Sequence, residues 1–478
     1  MPRPTPRTLI GDCRETLKTL APVSVHACVT SPPYWQLRNY GVSGALGNEP
    51  TIDEYLANQL AVFREVRRVL RDDGTCWVNL GDTYSRGGRG GNPVESPHQK
   101  QATNAASLVA ACPDCDVAPG NQLLVPHRFA LAMQADGWVL RSTIVWSKRS
   151  PMPESVSGWR WVRCRAKTGE MESAPQGGLS SWDMGEHAHG SASGEYRGTE
   201  KSIPVWSDCP GCDKCREHGG YILRRGAWRC TTAHEFVFQF TKSMDYFADG
   251  DAVQERAVGH AGRQRQHKLA SAYRNGTRHD HRVVGLKNIP AVERRNQRSV
   301  WSLSSEPFKE RHFATFPSEL PFRIIRAATS KAGCCPACGA QYAPVVHRER
   351  VPTRPGTNHK IWKLSGADEP LGQRRSTSPN LDPQRHIVRT AVKDYWPTCE
   401  CHAGDPVPAT VLDPYMGSGT TLQVASWLGR DSIGCELSPE YVALAETRIA
   451  TMPLCLARRE PKKLAPSFVP LEGQRELF

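Results

Sequence analysis

Residues 409–450 read ATVLDPYMGSGTTLQVASWLGRDSIGCELSPEYVALAETRIA, and no other stretch constrains the fold as strongly. ATVLDP reads as a strand, YMGSGTT as a glycine-rich turn, LQVASWLG as a helix, DSIGCEL as a second strand, and SPEYVALAETRIA as a helix capped by Ser438. This is a βαβ unit with its final helix, which implies parallel strands and helices packed on the sheet faces. Gly417 and Gly419 lie between strand and helix, where the absence of a side chain lets a ligand approach the helix N-terminus. No Lys precedes the Thr pair, and the third glycine of a dinucleotide fingerprint is missing, so the loop suits a cofactor other than ATP or NAD. Asp413 ends the first strand, placed for a cationic amino-acid moiety, and Glu436 ends the next, placed for ribose hydroxyls. S-adenosylmethionine carries both groups. A purely structural βα turn would account for the glycines but not for two carboxylates at strand ends.

The N-terminal segment repeats the rhythm. TLIGDCRETLKTLAPVSVHACVTSPPYW gives a short strand, a helix of roughly two turns opening after Asp12, and a second strand closing at Thr30. The prolines of TSPPYW, residues 30–35, remove two backbone donors and stiffen a loop at a strand's carboxyl end. With the Ser31 hydroxyl, outward carbonyls and the flat faces of Tyr34 and Trp35, that loop can hold a flat, amine-bearing ligand. Thr51 and Glu54 form a capping box ahead of Leu56, Leu60, Phe63, Val66 and Leu70 at helical spacing, and Asp72-Asp73-Gly74 reads as the stop. TCWVNLGD, WVLRSTIVWSK and HEFVFQFTKS read as further strands, with PHRFALAMQADG as a helix.

Between these elements lie polar insertions at 85–120, 150–232, 250–299 and 340–408, too long to be plain loops of one compact domain. The 61 Lys+Arg against 48 Asp+Glu, a formal charge of +13, favour a polyanionic partner, and nucleic acid is the leading class. The Arg- and His-rich insertion 250–299 reads as a nucleic-acid-facing segment, with a solvated loop as the bland alternative. No run of about 18 apolar residues is present, and the N-terminus lacks the apolar core of a signal peptide, so a soluble, cytoplasmic protein is expected. In a reducing compartment the 17 cysteines point to metal. Cys209, Cys212 and Cys215 in CPGCDKC can share one ion, with Cys164 as the fourth ligand and Cys230 as its rival. Cys335, Cys338, Cys399 and Cys401 make a second four-thiolate set, for which His402 or Cys334 can substitute. One or two structural zinc ions are expected. Cys112 and Cys115 have no evident second pair.

TSPPYW early and DPYMGSGTT late together resemble the site-specific DNA amino-methyltransferases of the permuted β class, the cytosine-N(4)/adenine-N(6) family. That family carries a (Ser/Asp/Asn)-Pro-Pro-aromatic catalytic motif first and an Asp-Pro-Phe-x-Gly-Ser-Gly-Thr cofactor motif last; Tyr415 here replaces the usual Phe. ERHFATFPSELP, residues 310–321, resembles its other cofactor motif and places Phe313 and Thr315 near the cofactor, while Asp12 in IGDC lies near the adenine. The resemblance extends to RSTIVWSKRSPMPES and AHEFVFQFTKS.

It implies an α/β fold: a doubly wound, mostly parallel, Rossmann-like sheet, circularly permuted, with zinc-binding and target-recognition insertions. The expected divisions are a catalytic half at 1–149, a zinc-binding insertion at 150–232 and a core strand at 233–249. A basic DNA-recognition insertion at 250–299 follows, then a cofactor-side helix at 300–333 and a zinc-ribbon-like insertion at 334–408. The cofactor-binding half at 409–452 and a basic tail at 453–478 complete the chain. The implied reaction moves a methyl group from S-adenosylmethionine to the exocyclic amine of a flipped cytosine in duplex DNA, with Ser31, Pro32, Pro33 and Tyr34 catalytic. A Ser at the first catalytic position is more usual for cytosine enzymes; adenine is the alternative, and a non-catalytic zinc-containing DNA-binding protein a further one. Double-stranded DNA is the implied partner, with a cognate restriction nuclease as a possible second.

Overall fold

The computed structural model describes residues 4–36, 44–85, 117, 118, 120–151, 158–173, 202–256, 291, 292, 294–306, 316–352 and 386–457. Two compact units emerge, the larger spanning 1–147, 235–306 and 313–478, the smaller 148–234 and 307–312.

The larger unit is built on an eight-stranded sheet of order β1-β17-β16-β2-β3-β9-β4-β13. Numbered along the chain, these are β1 (Pro6–Ile10), β2 (Val25–Thr30), β3 (Leu70–Leu80), β4 (Val139–Lys148), β9 (His234–Thr241), β13 (Val300–Leu303), β16 (Thr410–Asp413) and β17 (Asp431–Glu436). The run β1, β17, β16, β2, β3 pairs in parallel, and β9 is antiparallel to β3. The late strands β16 and β17 therefore sit between the early strands β1 and β2. Short strands β10 (Glu255–Arg256), β11 (Ala291–Val292) and β12 (Arg294–Arg295) and the long hairpin β14 (Tyr342–Pro352) with β15 (His386–Pro397) complete the unit's β structure among the described residues.

Both sheet faces are covered, because successive strand residues point to opposite sides. Cys28 of β2, Leu412 of β16, and Cys76 and Val78 of β3 face a core with Phe63 and Val66 of α2 (Ile52–Val69) and Phe129 and Met133 of α3 (Val125–Ala135). Val29, Val411 and Trp77 on the same strands face the other core, with Ile324 and Ile325 of α5 (Glu319–Ala328) and Val424 of α6 (Thr420–Trp427). Each such fully buried aliphatic or Phe side chain contributes roughly 1.5–3 kcal/mol. This is the doubly wound, mostly parallel Rossmann-like architecture expected.

One boundary differs from the sequence reading. Helix α2 is capped by Thr51, whose Oγ1 accepts from the Glu54 N–H at 3.1 Å, but it ends at Val69 rather than at Asp72-Asp73-Gly74. Leu70 turns extended, pairs with Val25 and is fully buried, so an 11-residue strand starts where helical spacing still placed an apolar residue. Strand pairing overrides the helical pattern here. Among the described residues no helix is long and apolar enough to cross a membrane.

The smaller unit holds two antiparallel ribbons. β5 (Trp159–Arg163) pairs with β8 (Tyr221–Arg225), and β6 (Arg165–Ser173) with β7 (Ser202–Asp208); a single turn, α4 (Asp213–Arg216), lies between β7 and β8.

Candidate active site and cysteine clusters

Parallel pairing brings the carboxyl ends of four strands side by side. Ile10 of β1 is level with Glu436 of β17, Asp413 of β16 with Gly434, and Leu412 with Cys28 of β2. Asp12, Glu436, Asp413 and Ser31 therefore all follow or end adjacent strands at the carboxyl end of the sheet, the place where open α/β sheets bind ligands.

Thr30 donates its hydroxyl to Asp413 Oδ1 at 2.6 Å, tying the SPPY loop to the glycine-loop strand. Beyond Thr30, Ser31 Oγ donates to the Asn79 carbonyl at 3.2 Å. The Tyr34 hydroxyl donates to Glu235 Oε2 at 2.6 Å, with Asn79 Oδ1 3.1 Å away. Tyr34 also lies flush on Gly81, where a Cβ would come within 2.8 Å of its ring. Tyr55 donates its hydroxyl to the Pro33 carbonyl at 3.0 Å, and Trp35 is buried with its indole N–H on the Glu49 carbonyl at 2.9 Å. The loop is thus held from β3, β9 and α2, as a preorganised site requires.

On the cofactor side Gly417 and Gly419 adopt φ of +51° and +74°, a region that favours glycine. Glu436 accepts from the Gly417 N–H through Oε2 and the Ser438 N–H through Oε1, both at 2.9 Å. Each carboxylate oxygen has a second acceptor site, so two ribose hydroxyls can still be bound. Burial pushes the Glu436 carboxyl up, and the N–H groups of Ser438, Gly417 and Leu437 oppose the shift. Asp413 is fully buried, and desolvation lifts it to about 6 against hydrogen bonds from the Thr30 hydroxyl and the Tyr415 N–H. Asp12 caps α1 (Cys13–Thr16) and is bidentate with Arg14, which holds its carboxyl below the usual range. Tyr415 contributes more than an aromatic body, since its hydroxyl donates to Gln59 Oε1 at 2.8 Å. Phe313 and Thr315 lie outside the described residues.

The N6_N4_Mtase family model, described as DNA methylase, matches residues 25–335 and 398–447. The chain belongs to this DNA methylase family. It is 30% identical over 441 residues to the type II methyltransferase M.XycI of Xanthomonas campestris pv. cyanopsidis, covering 92% of this chain and 86% of that one. It is 28% identical to M.Cfr9I of Citrobacter freundii, with the same coverage, and 25% identical to M.SmaI of Serratia marcescens over 93% of this chain and 90% of that one. Among solved structures, a PvuII DNA methyltransferase (cytosine-N4-specific) matches with a TM-score of 0.42 and 15% identity over 97% of this chain and 91% of that chain. The protein is a DNA amino-methyltransferase of the N4/N6 type.

The DNA methylase also gathers both expected cysteine sets. The sulfurs of Cys164, Cys209, Cys212 and Cys215 lie within 4.8 Å of one another, as do those of Cys335, Cys338, Cys399 and Cys401. Cys212 Sγ is 3.8 Å from Cys164 Sγ and 3.7 Å from Cys215 Sγ. A tetrahedron of thiolates about 2.3 Å from a zinc ion has edges of about 3.8 Å. N–H groups of Gly211 and Cys212 aimed at Cys209 bring its thiol down to about 7, and the Cys338 N–H does the same for Cys335. The rival Cys230 is exposed outside the first quartet, and Cys334 is buried against the Val407 and Pro408 carbonyls. The Cys335–Cys338 turn is fastened to the core: the Gly339 carbonyl accepts from His26 Nε2 at 2.9 Å, and the Cys338 carbonyl from Arg71 at 2.7 Å. His26 Nδ1 accepts from the Thr410 N–H, and burial lowers this ring to about 4, so it stays neutral. Cys112 and Cys115 lie outside the described residues.

Sequence reasoning missed Asn79, Gly81 and Glu235. Glu235 left one signal, a carboxylate next to the start of a strand that carries Phe236, Val237, Phe238 and Phe240.

Proposed function

We propose that this DNA methylase transfers a methyl group from S-adenosylmethionine to the exocyclic N4 amine of a cytosine flipped out of duplex DNA. The observation that carries the reading is the adjacency of the two loops: the SPPY loop and the glycine loop leave neighbouring strands, joined by the 2.6 Å Thr30–Asp413 hydrogen bond. The choice of cytosine rests on Ser31 at the first catalytic position.

S-adenosylmethionine would supply an electrophilic sulfonium methyl to the amine lone pair, leaving as the neutral thioether, and the methylated amine would release one proton to solvent. Glu436 and the backbone at Gly417 and Gly419 would hold its ribose and amino-acid portions and Asp12 would face the adenine; Asp413, expected to meet the amino-acid moiety directly, is instead buried on the Thr30 hydroxyl and the Tyr415 N–H and so orders the glycine loop. Because Ser31 Oγ gives its proton to the Asn79 carbonyl, its lone pairs are left to accept from the target amine. The Pro32 carbonyl is the second acceptor. Together they stabilise positive charge developing on that nitrogen. Pro33 stiffens the loop, and Tyr34 supplies the face against which the flipped base rests. Replacing Tyr34 with Ala then costs roughly 1–3 kcal/mol of base binding.

Each cysteine quartet holds one structural zinc ion in this reading; the methyl transfer itself needs no Lewis acid. The thiol spacing supports it. The experiment is incubation of mixed-sequence duplex DNA with labelled methyl donor, digestion to nucleosides and mass spectrometry. Labelled N4-methylcytosine is expected. Labelled N6-methyladenine would keep the mechanism and replace the substrate, and no label on DNA would favour a non-catalytic DNA-binding protein.

A further inference from the structure

The smaller unit carries a surface that the methyl-transfer machinery does not use. Strands β5 and β8 are in direct register, Trp159 opposite Arg225, Trp161 opposite Leu223 and Arg163 opposite Tyr221. Alternation puts these six on one face of the ribbon and Arg160, Val162, Ile222 and Arg224 on the other. The first face is solvent-facing: Trp159 is 68% exposed, Trp161 51% and Tyr221 40%. Its cations stand over its aromatics, Arg225 4.9 Å from the Trp159 ring and Arg163 5.5 Å from that of Tyr221. Arg163 also reaches Asp208 at 3.1 Å, an exposed pair that solvent weakens. Large exposed aromatics grouped in this way mark an interaction surface.

The thiol quartet holds the ribbon at its end. Cys164 follows β5 directly and takes the Gly220 carbonyl, next to β8, through its N–H at 2.8 Å. Its own carbonyl accepts from the Cys209 N–H at 2.9 Å.

We infer that this aromatic and cationic face of the β5–β8 ribbon docks on duplex DNA in the major groove, as an anchoring surface of the methyltransferase. The inference rests on the proposed action on duplex DNA and adds the surface that grips it. Charge selects the partner: the ten residues of the β5–β8 ribbon include four Arg and no Asp or Glu. A polyanion complements that excess. Shape selects the form, because the major groove, about 12 Å wide, admits a two-stranded ribbon. Five residues at about 3.4 Å each give a ribbon of about 17 Å, long enough to cross it. Arg163 and Arg225 then meet phosphates at the groove walls while Trp159 and Trp161 press on base edges and thymine methyl groups.

The test measures binding of the full-length protein to a mixed-sequence duplex, and to its separated strands, by fluorescence anisotropy over a range of salt. Two double variants remove the same charge from opposite faces, Arg163→Gln with Arg225→Gln and Arg160→Gln with Arg224→Gln. The first pair should weaken duplex binding about 10-fold and make the slope of log affinity against log salt shallower by about 1.8, two phosphate contacts at about 0.9 each. The second pair should leave the slope within about 0.5 of the parent. Trp159→Ala with Trp161→Ala should weaken duplex binding without changing the slope. Zinc content and S-adenosylmethionine affinity equal to the parent's show that each variant is folded. Equal losses from both faces, no loss from either, or a preference of this face for single strands would overturn the inference. Since binding is read without turnover, failure of the methyl-transfer reading shows separately, as absence of label from DNA in the parent.

Discussion

Gly81 is the position where one added carbon tests the catalytic loop. Its backbone is not in the left-handed region, so replacement by Ala strains nothing locally, but the new Cβ would sit 2.8 Å from Tyr34 Cε2 and 3.2 Å from Cδ2. Ordinary contact begins near 3.4 Å, so the ring must retreat by about 0.6 Å. It is not free to do so, because its hydroxyl is tied to Glu235 at 2.6 Å. Overpacking against an anchored side chain costs about 1–3 kcal/mol, and a central value of about 2 kcal/mol corresponds to a ~30-fold loss in kcat/KM if the ring's position matters in the transition state. The assay is steady-state methyl transfer to duplex DNA, with S-adenosylmethionine affinity measured in parallel and expected within about twofold of the parent. Tyr34→Phe releases the tether, so the ring can yield, and the double variant should lose less than the product of the two single losses. Parent-like kcat/KM for Gly81→Ala, or strictly additive losses, would refute the reasoning.

Glu436→Gln replaces one of two acceptor oxygens by a donor facing a backbone N–H, and should weaken S-adenosylmethionine binding about 10- to 100-fold by calorimetry. Asp413, lifted to about 6 by burial, binds its proton more tightly folded than unfolded, so its contribution is fully present below about pH 3.8 and is lost as pH rises through about 6. Asp413→Asn, measured by thermal unfolding, should therefore gain stability relative to the parent at pH 7.5, by at most about 3 kcal/mol, and little at pH 4. Metal analysis should find two zinc ions per chain. Cys335→Ser with Cys338→Ser should lower the melting temperature of the larger unit by roughly 5 °C, because that turn is fastened to β2 and β3 through His26 and Arg71.

What the sequence displayed follows from how local each signal is. The glycine loop, the Ser438 and Thr51 caps and the strands around them are set by neighbours within a few residues, and the structure places them where the pattern indicated. The cysteine quartets were legible because CPGCDKC and CCPAC each bring a set of ligands close together along the chain, and the structure gathers Cys164, the fourth ligand the sequence favoured over Cys230, because it directly follows β5. The end of α2 was misread because Leu70 satisfies the helical spacing and the strand's need for a buried residue equally well. Asn79 and Glu235 carry no local signal for meeting Tyr34. Glu235 lies 201 residues away and arrives only because β9 pairs with β3. The hydrogen bond from Tyr415 to Gln59 is of the same kind.

The central claim is that the Ser31 loop delivers the amine of a cytosine in duplex DNA to a methyl donor held by the glycine loop. The measurement that reaches it most directly compares the parent and Ser31→Ala in one experiment, scoring labelled methyl groups on each nucleoside and donor affinity on the same preparations. The account predicts label on the cytosine amine in the parent, at least a ~100-fold lower rate in Ser31→Ala, and donor affinity unchanged within about twofold. Turnover by Ser31→Ala at the parent's rate, with label on the same amine, would contradict it.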